Sequence, residues 1–189
     1  YDESARRGFT DSVLIMSRQM RTLVEELLEL ARFDAGISKS AHTELDLSAL
    51  CAEALLPFEA LFFERGLSLE SRIEEGIRVT GNFEQLRQVC EILLDNACKY
   101  SSTPGTVKLS LRAQGRQASL CVSSPGEEIS PDDLKNIFKR FYRVDKARSR
   151  AAGGTGLGLS IVKHSVLHHK AKLELHSRPG EGTVIRVIF

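Results

Sequence analysis

Apolar side chains at Phe9, Val13, Met16, Met20, Leu23, Leu27 and Leu30 recur at alternating spacings of four and three. That is the a/d seam of a left-handed helical bundle. The spacing predicts one long helix to about Ala35, stopped at Gly36, which tolerates a left-handed cap, and the polar run from Ser38 to Glu44 reads as a linker. A continuous seam on a lone helix needs a cover. Its narrowness favours a second copy of the helix, or a helix from outside this chain, over folding back on the remaining residues.

From Leu45 the pattern changes. Ser48 is placed to cap a helix running to about Arg65, Leu67 to Ile73 alternates in part with period two, and a turn at Glu75-Gly76 precedes a short strand to Val79. Phe83, Leu86, Val89, Cys90, Leu93, Leu94 and Ala97 return to helical spacing, with Asn82 as cap and Ser101 to Gly105 as terminator. Val107 to Leu111 and Ala118 to Val122 form a hairpin pattern around Gly115, and Pro131 opens a helix ending near Phe138. Residues 139 to 155 have no apolar period. A helix resumes through Leu157, Leu159, Ile161, Val162, Val166 and Leu167, and strands near Leu173 to His176 and Thr183 to Phe189 flank Pro179-Gly180. The sum is an α+β fold, a two-layer sandwich of a mixed β-sheet with helices on one face, preceded by a long coiled-coil-type helix. The expected divisions are 1–36 for the first helix, 37–44 for the linker and 45–189 for the main domain.

Composition narrows the partners. The 26 basic and 25 acidic side chains nearly cancel, which excludes the one-sided field of a nucleic-acid-binding protein. Cys51, Cys90, Cys98 and Cys121 are far apart, with no C-x-x-C pair and no histidine placed by sequence to complete a metal site, so they read as buried thiols in a reducing compartment. Apolar runs are only a few residues long, and the first residues carry no leader pattern.

Glycines at 154, 156 and 158 lead into an apolar helix, where a bare backbone and the first helical amides favour an anion. The spacing does not meet the dinucleotide fingerprint, because a basic loop rather than a strand precedes it. Two partners strengthen the signal. In Leu94-Asp95-Asn96-Ala97-Cys98-Lys99-Tyr100, the Asn96 amide oxygen suits Mg²⁺ and Lys99 suits a phosphate. The segment Lys139 to Arg150 carries six positive charges and one negative, suited to folding over a polyphosphate.

The order Leu94 to Tyr100, then Pro125-Gly126, then Ile137-Phe138-Lys139-Arg140-Phe141-Tyr142-Arg143, then Gly154 to Leu159 resembles the N, G1, F and G2 boxes of two-component sensor histidine kinases. The resemblance covers nearly the whole chain. Residues 45 to 189 look like the catalytic domain with the Bergerat, or GHKL, ATP-binding fold, and residues 1 to 35 like the second helix of the dimerisation bundle. It implies ATP and Mg²⁺ as cofactors, with Asn96 holding the metal and Lys99, Tyr100, Arg143 and Arg148 contacting phosphates. Gly154, Gly156 and Gly158 would shape the lid hinge, and Ser124, Gly126, Ile129, Phe138, Thr155, Leu157, Leu159 and Thr183 would complete the nucleotide site. It further implies a homodimer through the first helix, a response regulator receiver domain as partner, and a cytoplasmic location as part of a membrane-anchored bacterial receptor.

Three positions depart from the family pattern. Ile92 stands where a second metal-side asparagine is usual, Ser124 where an aspartate accepts from the adenine amino group, and Glu128 where a second glycine is usual. Losing one charge-assisted hydrogen bond to the base costs roughly 1.5–3 kcal/mol, so weakened nucleotide binding is expected. No histidine in the chain is followed by an acidic residue, as the family's phosphoacceptor is, so the phosphoacceptor helix is expected outside it. Two alternatives stay open: a degenerate domain serving as an interaction module, and an ATPase of the gyrase kind, which would need a glutamate where Ile92 stands.

Overall fold

The computed structural model describes residues 3–35, 42–144 and 154–189. Its elements are α1 (Glu3–Asp34), β1 (Thr43–Asp46), α2 (Leu47–Glu64), β2 (Leu67–Ile73), β3 (Arg78–Gly81) and α3 (Phe83–Tyr100). They continue with β4 (Gly105–Gln114), β5 (Gln117–Ser124), α4 (Pro131–Asn136), α5 (Gly158–His168), β6 (Lys172–Arg178) and β7 (Gly182–Ile188).

Five strands form a mixed sheet in the order β2-β4-β5-β7-β6, in which β2 and β4 run parallel and the other neighbours antiparallel. Alternation sorts the strand residues. Val107, Leu109, Leu111, Leu120, Val122, Ile185 and Val187 share one buried core with Leu50, Phe62, Leu86, Val89, Leu93, Leu94, Val162 and Val166 of α2, α3 and α5. The opposite face carries Lys108, Ser110, Arg112, Cys121 and Arg186, with ion pairs such as Lys108–Glu70 at 3.5 Å. This is the α+β two-layer architecture read from the pattern.

Asn82 caps α3 as expected, its side chain accepting from the Gln85 amide. The cap of α2 is Asp46 rather than Ser48. Ser48 lies one residue inside the helix, where its hydroxyl donates to the Glu74 carbonyl at 2.6 Å and accepts from the Ile77 amide at 3.0 Å, tying the helix to the turn before β3. The linker is shorter than 37–44, because Thr43 and Glu44 pair with Gly81 and Thr80 in the two-stranded ladder of β1 and β3. Gly36 and the rest of 36–41 lie outside the described residues. The hairpin strands β4 and β5 extend to Gln114 and Gln117, since ladder pairing continues through polar side chains once one face is buried.

The seam of α1 divides in two. Phe9 is 72% exposed and Met20 67%, whereas Leu30 is 1% exposed, packed with Leu157 and Ile161 and flanked by Leu23 and Ile92. The fold-back that the narrow stripe disfavoured therefore occurs at the C-terminal end of the helix. Polar anchors help hold it there: Arg140 donates to Asp34 at 2.7 Å, and Gln88 donates to Glu29. Cys51, Cys90 and Cys98 are buried free thiols, but Cys121 is only half-buried on the outer sheet face. Hydrogen bonding to Cys51, and then burial, push the Cys90 thiol well above its usual range.

Candidate functional site

A cavity of about 320 Å³ opens between α3, the β5-β7-β6 end of the sheet and the segments on either side of residues 145–153. Thr22 and Glu26 of α1 complete its lining. That size suits a small organic ligand.

On the strand side, Val122, Leu175 and Ile185 make an apolar wall, joined by Ile129 and Ile137. Its polar groups include Ser124 and Thr183, which pair in register across β5 and β7, and the carboxylates of Glu127 and Glu128 follow β5 in the same lining. Thr183 Oγ1 lies 3.2 Å from Ser177 Oγ, which itself accepts from the Ile129 amide at 2.9 Å, so the Thr183 hydroxyl is already engaged. Gly182 permits it: its φ is +78°, and a Cβ there would meet the Ser124 carbonyl oxygen at 2.2 Å.

The lid side is built from Asn96, Lys99 and Tyr100 of α3, then Tyr142, Arg143 and Gly154 to Gly158. Gly156 has φ +76°, and a Cβ on it would come within 3.0 Å of the Phe141 carbonyl carbon and 3.2 Å of Arg143 Cγ. The Phe141 amide donates to the Gly156 carbonyl at 2.9 Å, so the two halves of the lid meet backbone to backbone. Tyr142 donates to Asp133 Oδ1 at 2.6 Å; hydrogen bonds from Ser130 and Tyr142 hold the Asp133 carboxyl below its usual range.

Four buried polar atoms on this side have no partner among the described residues: Asn96 Nδ2, Arg143 Nε and Nη2, and Glu26 Oε2. Three are donors. Lys99 Nζ is 2.6 Å from Asp95 Oδ2. Burial raises the Glu26 carboxyl above its ordinary value, opposed by a hydrogen bond with Thr155 and by the charge of Lys99. Unpaired donors beside a lysine and a glycine-rich helix start make an anion-accepting arrangement.

The fold brings Asn96, Lys99, Tyr100, Ser124, Gly126, Ile129, Arg143, Gly154, Thr155, Gly156, Gly158, Leu159 and Thr183 into this one lining. Phe138 and Leu157 are corrections. Ile137 lines the cavity in place of Phe138, and Leu157 is fully buried beneath Leu30 because the first turn of α5 aims 158 and 159 at the cavity and 157 at α1. Arg148 lies outside the described residues. Sequence reasoning missed Thr22 and Glu26, whose presence depends on α1 docking and has no local signal. Ile92, taken as a lost metal helper, packs on α5: a Cβ on Gly158 would touch its Cγ2 at 3.0 Å. Glu91 pairs with Arg87 at 3.0 Å and does not line the cavity.

Residues 81–189 match the model of the family described as histidine kinase-, DNA gyrase B- and HSP90-like ATPase. The sensor-like histidine kinase SenX3 of Mycobacterium tuberculosis is 33% identical over 182 residues, covering 96% of this chain and 44% of SenX3. Full-length ShkA in complex with AMPPNP superposes with TM-score 0.82 at 21% identity, over 96% of this chain and 38% of ShkA. The histidine kinase ThkA, in complex with the response regulator protein TrrA, gives TM-score 0.77 at 21% identity over 100% of this chain and 52% of the other. The chain thus belongs to the histidine kinase-, DNA gyrase B- and HSP90-like ATPase family. It spans less than half the length of SenX3.

Proposed function

We propose that the cavity binds ATP with Mg²⁺ and that, within a longer receptor, this domain passes the γ-phosphoryl group to a histidine on a bundle helix outside the chain, from which a response regulator aspartate takes it. The observation that carries this reading is that Asn96 and Arg143, which hold buried donors unpartnered among the described residues, line one cavity together with Lys99. Leaving such groups unpaired costs about 1–3 kcal/mol each, and an anionic ligand removes that cost.

Arg143 and Lys99 would neutralise the polyphosphate, Tyr100 would flank it, and the Gly154 to Gly158 backbone would let it approach the start of α5. Asn96 fits the metal through its amide, whose oxygen and nitrogen exchange places by a rotation about χ2. Bound Mg²⁺ would supply charge withdrawal from the phosphate oxygens as the terminal P–O bond breaks and the P–N bond forms. Ser124 and Thr183 would receive the base against Ile129, Leu175 and Ile185. Ile92 in the general-base position, and Glu91 turned to Arg87, favour phosphoryl transfer over hydrolysis.

The exposed seam of Phe9, Val13, Met16 and Met20 supports homodimerisation through α1. ThkA bound to TrrA supports a receiver domain as partner. No helix among the described residues is long and apolar enough to cross a membrane, and we place the domain on the cytoplasmic side of a receptor. The test is incubation of the whole receptor with labelled ATP: acid-labile protein phosphate is expected, whereas free phosphate alone, or no turnover with intact ATP, overturns the reading.

A further inference from the structure

Outside the cavity, three imidazoles from distant parts of the chain converge. His42 leads into β1, and His168 and His169 end α5. One ring nitrogen of each lies within 4.8 Å of the other two. His42 Nε2 stands 3.2 Å from His168 Nδ1, and the His42 and His169 rings stack at 4.6 Å with 9° between their planes. Two nitrogens bound to one tetrahedral ion at about 2.0–2.1 Å are themselves about 3.3 Å apart. The His42–His168 pair therefore already has the spacing of two ligands on a shared ion.

We propose that His42, His168 and His169 form a site for a borderline divalent d-block cation, Zn²⁺ foremost. His42 Nε2 and His168 Nδ1 supply two ligands without rearrangement. His169 now holds its Nδ1 against the Ser165 carbonyl at 2.6 Å and accepts from the Asn82 amide through Nε2 at 3.0 Å. As third ligand it gives up the Asn82 contact, and water completes the shell. Gln85 Oε1, 3.2 Å from His168 Nδ1, gives up that contact when the nitrogen turns its lone pair to an ion. All three donors are imidazoles, which suit Zn²⁺, Ni²⁺ or Cu²⁺ and not Mg²⁺.

The site would join three parts of the molecule. His42 follows the connection from α1, the His168 ring lies 6.2 Å from Phe33 of α1, and α5 begins at Gly158 in the cavity lining. An ion here fastens the start of β1 to the end of the helix whose first residues line the cavity.

The experiment uses tag-free, chelator-stripped protein without nucleotide, titrated with ZnCl₂ by calorimetry and followed by amide NMR. One Zn²⁺ per chain is expected, with the Asn82 amide among the resonances that shift and Mg²⁺ producing no such shift. His42→Ala and His168→Ala should each weaken binding about tenfold or more. His42 is exposed, so its variant tests the site without burdening the core. His164→Ala, whose ring nitrogen is held by the Ser160 carbonyl, should bind as the parent does. Absence of binding at millimolar Zn²⁺, or unchanged binding in both His42→Ala and His168→Ala because Cys121 or another group holds the ion, overturns the proposal.

Discussion

The two sides of the cavity are built on opposite principles. On the strand side, Thr183, Ser177 and the Ile129 amide already satisfy one another, among apolar residues fixed by the sheet register. On the lid side, Asn96 and Arg143 hold buried donors with no partner among the described residues, and the Phe141–Gly156 contact joins two segments whose chain between is rich in charge. A finished wall confers shape and orientation; an unfinished one confers affinity for a ligand that finishes it. The comparison implies that changes on the lid side alter turnover and charge-dependent binding, whereas changes on the strand side alter which base is held.

The largest effect is expected on the unfinished side. Asn96→Ala removes the one amide suited to the metal and should lower receptor autophosphorylation by about 100-fold or more, read with labelled ATP. Because Asn96 Nδ2 has no partner among the described residues, the substitution should not lower the unfolding free energy by more than roughly 0.5 kcal/mol. Loss of stability together with activity would instead make Asn96 a structural residue.

On the finished side, Ser124→Asp restores a charged acceptor opposite Thr183. It should tighten ATP by about tenfold, since a hydrogen bond to a charged group contributes roughly 1.5 kcal/mol more than no bond. The gain should vanish for a nucleotide whose base lacks the exocyclic amino group. Equal gains for both would place the base elsewhere.

Gly156→Ala tests the seam between the sides. At φ +76°, with Phe141 at 3.0 Å, a methyl group strains the backbone by about 1 kcal/mol, and ATP affinity should fall roughly fivefold in a titration. An unchanged affinity would show that the Phe141–Gly156 contact does not form the bound lid.

What the sequence disclosed, and what it hid, follows the same division between local and distant causes. The helix of Phe83 to Tyr100, its Asn82 cap and the Gly154 to Leu159 turn are written in adjacent residues, so both the element and its place in the cavity were legible. Strand β1 was missed because Thr43 and Glu44 are polar and become a strand only through β3, more than thirty residues away. Leu157 was assigned to the cavity because periodicity does not show that Leu30 and Ile161 enclose it. His42 and His168 are 126 residues apart, and no spacing rule connects them.

The docked α1 supplies the smallest and most conditional effect. Glu26 is an acidic group in the lining of an anion-accepting cavity, beside Lys99 and Thr155, and burial raises its carboxyl above the ordinary 4.5. Glu29, one turn on, is raised for the same reason. A raised carboxyl favours the neutral form in the folded state, so its contribution is whole below the ordinary range and is lost as pH rises through the raised value. Docking of α1 should therefore weaken as pH rises above 4.5, and Glu26, once ionised, should oppose a polyphosphate. Glu26→Gln keeps the shape and the Thr155 contact and removes the charge. ATP affinity at neutral pH should rise about threefold, the size of a partly screened pair of like charges. The pH dependence of ATP affinity should flatten over the same interval, with the Glu29 contribution to docking remaining. Calorimetric titrations of parent and variant at pH 5 and pH 7.5 measure both. If the two proteins bind ATP equally at both pH values, α1 leaves the cavity before nucleotide enters, and Glu26 has no part in binding.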